Sequence, residues 1–508
     1  MKWTIKLVAE VVAGKPIEHE IAMIERPGEI SPANVGLTIE EGKAILESLQ
    51  HEVVTAQVQQ HGVNIRSCPR CGSAFRTKGY YRSTLRSVYG KIGMRIRRLR
   101  GCSCSGSQAR SFSALFTNKN PTTPELRYLT AKMAALLPFG KVADFLGEIL
   151  PLSSQTTAST VRNRTMKVGK RLQKSAEVLA SSSSTEPAKK LEVGLDGGYV
   201  RNRHQRPERN FEVVAGKVLQ GEGNATRFAF VRSGGSEAVS AVDLAMQQCG
   251  VCKTTSITVL TDGDAGLRAV QQQVAPEAEH VLDWFHIAMR FTNLQQLAKG
   301  VNALTDGGVR RHALEELERA KWRFWNGHRI RGLVGLVHLQ HWAGAQCFDH
   351  IPSLKKVENA LLEMVRYLEL NADSMPNYGK RYRAGQRIST GFVESAVNEI
   401  VAKRMVKKQQ MRWNRHTVQS FLDVRIHVLN GTLENAFRHW HQGFRPVAEH
   451  FRSQPQPDHP TTLHALSSAS QREVSLALAS ALYSRHVHTA VIFHSHFTPS
   501  TPELVQNA

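Results

Sequence analysis

The sequence predicts a multi-domain α/β protein: a mixed-sheet domain interrupted by an all-helical segment, preceded by a zinc-ribbon-like module and a helix-turn-helix-like bundle. Three observations carry that expectation. At 508 residues the chain exceeds what one hydrophobic core serves. From residue 191 onward, strand-like runs come three in succession and then alternate with helix-like runs, the order that builds a mixed sheet. Two cysteine pairs, Cys68/Cys71 and Cys102/Cys104, bracket a basic stretch.

Taken in order, residues 1–60 start strand-like, with Trp3, Ile5 and Leu7 alternating, and continue into "LTIEEGKAILESLQHEVV", where Thr38 and Glu41 fit a capping box ahead of a helix. Residues 61–110 hold "SCPRCG" and then two strand-like runs around a "YG" turn, with Val88, Ile92, Met94 and Ile96 on one parity. Residues 121–180 turn helical, in three runs separated by "PFG" and "PLSSQTT". "SSSSTEPAKK", residues 181–190, is polar and low in complexity, a linker by composition. The first part of the mixed-sheet domain covers 191–300, an all-helical insertion 301–385, and its last part 386–440, with a helix beginning near Phe392. The tail, 441–508, becomes Ser- and His-rich after about residue 452 and is expected to be partly disordered.

Lys and Arg (66) outnumber Asp and Glu (43), a net charge of +23 that points to a polyanionic partner. Between Val53 and Pro124 there are 13 Lys or Arg and no acid. No apolar run reaches membrane-spanning length, and the start reads as no secretory signal, so a soluble cytosolic protein is expected. Seven cysteines in such a chain point to metal rather than disulfides.

Cys68-x2-Cys71 and Cys102-x-Cys104, at either end of a hairpin, can close a tetrahedral structural Zn2+ site; four unrelated thiols is the plainer reading. Cys249-x2-Cys252 has no second pair in view and is expected to be unligated. In "TTASTVRNRTMKVGK" a polar cap precedes a helix carrying Arg162, Arg164, Lys167 and Lys170, which suits a helix entering the major groove and equally a solvated face.

The stretch "SITVLTDGDAGL" holds two aspartates. Asp262 is expected at the carboxyl end of a central strand, and Asp264 as the cap of the next helix. Asp196 is expected to end the strand "LEVGL", before Gly197 and Gly198. Two carboxylates on adjacent strand ends can share Mg2+ or Mn2+, although each alone also reads as a turn residue. Glu394, at a helix start in "TGFVESAVNE", adds a third. Three such acids can hold two cations for phosphodiester chemistry. Asp283 and His286 in "LDWFH" stand at another strand-to-helix junction, as accessory groups or as a local hydrogen bond.

"VGLDGGYV", "LTDGDAGL", "LDWFHIAMR" and "GFVESAVNEIVAKRMVKKQQMRW", in this order, resemble the ISKra-type insertion-sequence transposases, within the DDE transposase group of ribonuclease-H-like fold. The resemblance spans roughly residues 35–440; the tail after residue 452 does not match it. It implies Asp196, Asp262 and Glu394 as the catalytic, metal-binding triad, with Asp196 shared between both ions and residues 301–385 inserted between the second and third acids. Where the similar Mutator-like enzymes carry Cys-x2-His, this chain has Asp283 and His286.

The expectation is therefore a two-metal-ion DNA transposase, cytoplasmic and nucleoid-associated in a bacterium. It would bind terminal inverted repeats and target DNA, cut by hydrolysis, join by transesterification, and act as a homodimer or higher oligomer. Arg404, Lys407, Lys408 and Arg412 would line the DNA near the active site, or form a solvated face. A DNA-binding regulator derived from such an enzyme is the alternative. A carboxylate glycosidase fits the charge excess poorly.

Overall fold

The computed structural model describes residues 1–9, 16–26, 28–32, 34–64, 67–68, 70–100, 104, 111–113, 121–152, 156–181, 186–204, 208–221, 224–232, 237–302, 306–348, 351–406, 409 and 411–445. Those residues belong to one compact unit, Met1–Arg445; a second unit, Pro446–Ala508, contains the Ser/His-rich end and lies outside the described residues.

The chain opens with an antiparallel pair, β1 (Lys2–Ala9) and β2 (Ile17–Glu25), and a long helix, α1 (Ile39–Asn64). The expected capping box forms: Thr38 Oγ1 accepts from the Glu41 N–H at 3.2 Å, and Glu41 Oε2 accepts from the Thr38 N–H at 2.9 Å. A hairpin follows, β3 (Arg76–Ser87) and β4 (Gly90–Arg100), with the short β5 (Ser111–Ser113) on the far side of β4. Gly90, at φ 110°, closes the two-residue turn in a conformation that other residues resist. Alternation along the hairpin buries Leu85, Ile92, Met94 and Ile96 against Val54 of α1.

Four helices come next: α2 (Pro124–Leu136), α3 (Phe139–Ile149), α4 (Ala158–Lys174) and α5 (Ala176–Ser181). Thr123 caps α2 with proline at its first position, and Thr157 caps α4.

The sheet is built from β6 (Lys190–Arg201), β7 (Asn210–Gln220), β8 (Asn224–Val231), β9 (Ser256–Thr261) and β10 (Glu279–Leu282). α6 (Glu237–Gln248) precedes β9, α7 (Ala265–Val274) joins β9 to β10, and α8 (Trp284–Lys299) leaves β10. The spatial order is β10-β9-β6-β7-β8, antiparallel across β6, β7 and β8 and parallel across β6, β9 and β10. This five-stranded mixed sheet follows the element order read from the sequence.

Beyond α8 come α9 (Gly307–Trp325), α10 (Arg329–Phe348), α11 (Leu354–Leu370), a 3-10 turn and α12 (Tyr378–Arg383). The chain returns through α13 (Gly391–Val397), which runs on as a π-helix over Asn398–Val406, then α14 (Val418–Leu429) and α15 (Leu433–Trp440).

Both faces of the sheet are covered, because each side of the period-2 alternation is apolar. Leu191, Val193 and Leu195 of β6 pack with Val242 and Met246 of α6 and Leu267 of α7. On the other face, Val213 and Ala215 of β7 pack with Ala396 of α13, Ile400 of the π-helix, Phe421 of α14 and Phe139 of α3. A third core joins Val281 and Leu282 to α8 through α11. Among the described residues no helix is long and apolar enough to cross a membrane.

Contrary to the expectation from sequence, Asp196 does not end its strand: β6 runs on to Arg201, and Asp196 pairs with Ala215. The parallel neighbour stops at the Gly194–Leu260 pair, whereas the antiparallel hairpin with β7 continues to Arg201.

Candidate active site at the ends of β9 and β10

Strand register sets three aspartates in a row. Parallel pairing of β6 with β9 ends at Gly194–Leu260, and two further residues on each strand bring Asp196 beside Asp262. Pairing of β10 with β9 ends at Leu282–Thr261, and one further residue brings Asp283 beside Asp262. Residues in parallel register point to the same face.

The same face of β6 receives α13. A side chain at Gly194 would come within 2.0 Å of Val393 Cγ2, and one at Gly198 within 3.2 Å of Val397 Cγ1. These two glycines flank Asp196 at i±2, so their missing side chains admit the helix that carries Glu394. Lys217, next to Gly194 on β7, donates to Ser395 Oγ at 2.6 Å and fixes that helix. The Glu394 carboxylate is exposed.

Asp264 is the helix cap. Its Oδ1 accepts from Gly266 N at 2.8 Å and Leu267 N at 3.1 Å, and Arg232 pairs with the same carboxylate. Arg232 and the Gly266 and Leu267 N–H groups hold it below the usual carboxylate range, against burial. Asp262 Oδ1 accepts from the Asp264 N–H at 2.9 Å, a turn that leaves its second oxygen for the site.

Asp283 is fully buried and accepts from Phe285 N at 2.7 Å and from Thr390 Oγ1. His286 Nδ1 lies 2.9 Å from Asp283 Oδ2, which raises the imidazole pKa against the effect of burial. Asp262 and Asp196 push it the same way. Burial chiefly raises the Asp196 pKa; the Gly197 N–H and His286 lower it, and Asp262 and Asp283 add to the rise. The four groups therefore form one electrostatic cluster, short of positive charge, whose chemistry suits a hard divalent cation.

Sequence reasoning missed the groups that hold this row in place. Tyr367 of α11 donates its hydroxyl to the Asp262 carbonyl at 2.8 Å, and Tyr378 of α12 donates to the Leu282 carbonyl at 2.8 Å. Thr390 and Lys217 belong to the same set.

Cys68, Cys71 and Cys104 bring their sulfurs within 4.8 Å of one another, with Cys68 and Cys104 3.5 Å apart. Sulfurs around a tetrahedral zinc, each at about 2.3 Å, stand in that range, so this cluster fits zinc. Cys102 lies outside the described residues. Among the described residues, this is the one group of three or more ligating atoms gathered that closely, so the acids are aligned by the backbone without closing on a common point. Cys249 is buried and donates to Thr226 Oγ1 at 3.2 Å; Cys252 is exposed.

On α4, Val161, Thr165, Val168, Gly169 and Leu172 are buried. Lys167 and Lys170 are exposed, and Arg162 and Arg164 half-buried. Arg412 is exposed; Lys407 and Lys408 lie outside the described residues. Arg404 cannot line DNA. It is 0% exposed, set among Phe139, Trp413 and Phe421 at 5.0–5.5 Å, and donates to the Ala134 carbonyl at 3.2 Å. Arg425 donates to the Ala135 and Glu399 carbonyls, so two buried arginines fasten the end of α2 to the π-helix.

No protein-family model matches the chain, and no curated protein sequence matches it. A solved structure found as a structural neighbour, the Drosophila P element transposase strand transfer complex, is 12% identical, with a TM-score of 0.22 over 62% of this chain and 80% of that one. A score that low establishes no common fold, and the functional reading rests on the site's own geometry.

Proposed function

We propose that this chain is a DNA transposase of the DDE group, similar to the ISKra type, whose ribonuclease-H-like domain cuts element ends and transfers the strands to target DNA. The observation that carries the reading is the register that sets Asp196 beside Asp262 on the face covered by the Glu394 helix. The mixed sheet, three strands antiparallel and two parallel, supports the fold assignment.

Asp196, Asp262 and Glu394 would hold Mg2+ or Mn2+, which when bound supplies Lewis-acid activation of a water or 3′-hydroxyl and charge stabilisation of the leaving oxygen. The protein's own part is positional. Tyr367 and Tyr378 fix the backbone at the two strand ends, Lys217 fixes the acid-bearing helix, and Asp283 orients the His286 ring through Nδ1, leaving Nε2 available to the site. The cysteine cluster would hold structural Zn2+, and the basic α4 would meet DNA. Dimerisation follows from the need to join two element ends.

A second reading, a DNA-binding regulator without catalysis, draws support from the exposed Glu394 carboxylate and the unclosed acid trio. Mn2+ titration of the purified protein separates the two. The transposase reading expects saturable binding that Asp196→Asn and Asp262→Asn each abolish; equal binding by both variants removes these residues from the site.

A further inference from the structure

The hairpin β3–β4 and the helix α4 stand ahead of the sheet domain in the chain, and a pocket of 430 Å3 opens between them. Arg86 and Lys91 project from the hairpin side, Arg164 and Lys167 from α4, with the hydroxyls of Thr156 and Thr160 and the amide of Asn163 between them. No carboxylate is among its described lining residues. Of the nearby acids, Glu125 lies 3.2 Å from Arg445, whereas Glu47 brings its carboxylate to Gly90 at the pocket rim.

Within the cluster, Arg164 carries an unsatisfied donor. Its Nη1 is buried with no hydrogen bond among the described residues. Burial, with the charges of Arg86 and Arg127, pulls its pKa below the ordinary arginine value. A desolvated donor beside like charges costs stability unless an anion completes it. The opening turn of α4, capped by Thr157, adds the positive end of a 17-residue helix at the Thr156–Thr160 side.

We propose that this pocket seats one backbone phosphate of bound DNA, clamped between the hairpin and α4. Arg164 meets the phosphate through guanidinium N–H groups other than the enclosed Nη1, and the lysines add charge without direction. A phosphate contact positions the duplex and reads no bases, so removing it weakens all sequences alike. The inference rests on the DNA-binding half of the proposed function and is independent of the acid row.

The test uses the full-length protein and a short random-sequence DNA duplex, followed by fluorescence anisotropy across a salt series. Arg164→Gln and Lys91→Gln should each weaken binding about five- to tenfold and lower the slope of log K against log salt by about 0.9, the share of a single neutralised phosphate. The double variant should lose less than the sum, because both act on one phosphate. Arg164→Gln should leave Tm unchanged or raised, which a structural role for this arginine would not. Wild-type affinity and slope in both single variants would overturn the proposal. So would a Tm rise with inorganic phosphate that both variants lose while their DNA binding stays intact, since the site would then hold a free anion. Absence of DNA binding by the wild type would refute the DNA reading as a whole. Binding without strand cleavage would refute the chemistry alone and leave the pocket standing.

Discussion

Gly169 offers a perturbation whose size follows from one distance. It lies on the inner face of α4, and a methyl group there would sit 1.7 Å from the Ser420 carbonyl oxygen of α14. Comfortable contact begins near 3.5 Å, so Gly169→Ala would have to part the two helices by roughly 1.5–2 Å. A gap of half that size already forfeits about a quarter to a half of each dispersion contact, and Val168, Leu172 and Val424 share that interface. Overpacking of this kind typically costs about 1–3 kcal/mol, and backbone on the far side leaves no side chain to yield, so a loss of about 3 kcal/mol is expected. Gly147 is the matched control: it sits in α3 with nothing within 4 Å of an added methyl, and Gly147→Ala should stabilise by about 0.5–1 kcal/mol. Urea unfolding of both variants measures the difference, and anisotropy with duplex DNA should show weaker binding for Gly169→Ala alone. Equal midpoints for Gly169→Ala and wild type would refute the helix packing and, with it, the seating of α4.

Three further outcomes follow. Asp262→Asn should abolish Mn2+ binding while Asp264→Asn retains it, since asparagine keeps the cap on α7 and gives up only the charge paired with Arg232, and the reverse result would exchange their roles. Cys68→Ser with Cys71→Ser should release zinc, as measured by metal analysis, and weaken DNA binding; unchanged zinc content removes that site. Because burial raises the Asp196 carboxyl pKa in the folded state, the metal-free protein gains nothing from it below the ordinary carboxylate pKa of 3.8 and loses stability as pH rises through the folded value. Asp196→Asn should therefore raise Tm at pH 7 without metal, with the gain vanishing in acid, and should lose the Tm rise that Mn2+ gives the wild type; a lowered Tm at pH 7 contradicts the assignment.

What could be read ahead of the structure was local. The Thr38–Glu41 box and the Asp264 cap need only neighbours within three residues, and both form. Three strands followed by alternating helices carry their own periodicity, so the succession of elements along the chain was legible, whereas the strand order β10-β9-β6-β7-β8 was not. What could not be read depends on distant partners. Tyr367 and Tyr378 reach the strand ends from 105 and 96 residues away, and nothing local marks them. Arg404 sits in a basic run that looks solvated, yet the π-helix presents it to three aromatic rings. Asp196 was misplaced along its strand because strand length is set by pairing with β7, while the Gly197–Gly198 pair that follows it reads as a turn when seen alone.

Strand cleavage and joining of labelled element-end DNA by the purified protein with Mg2+ or Mn2+, comparing wild type with Glu394→Gln, puts the proposed active site to trial. Wild type should cut and join, and the variant should bind the same DNA equally well without cutting. Cutting by the variant at the wild-type rate would contradict the role of Glu394, and binding without cutting by both proteins would give the regulator reading the lead.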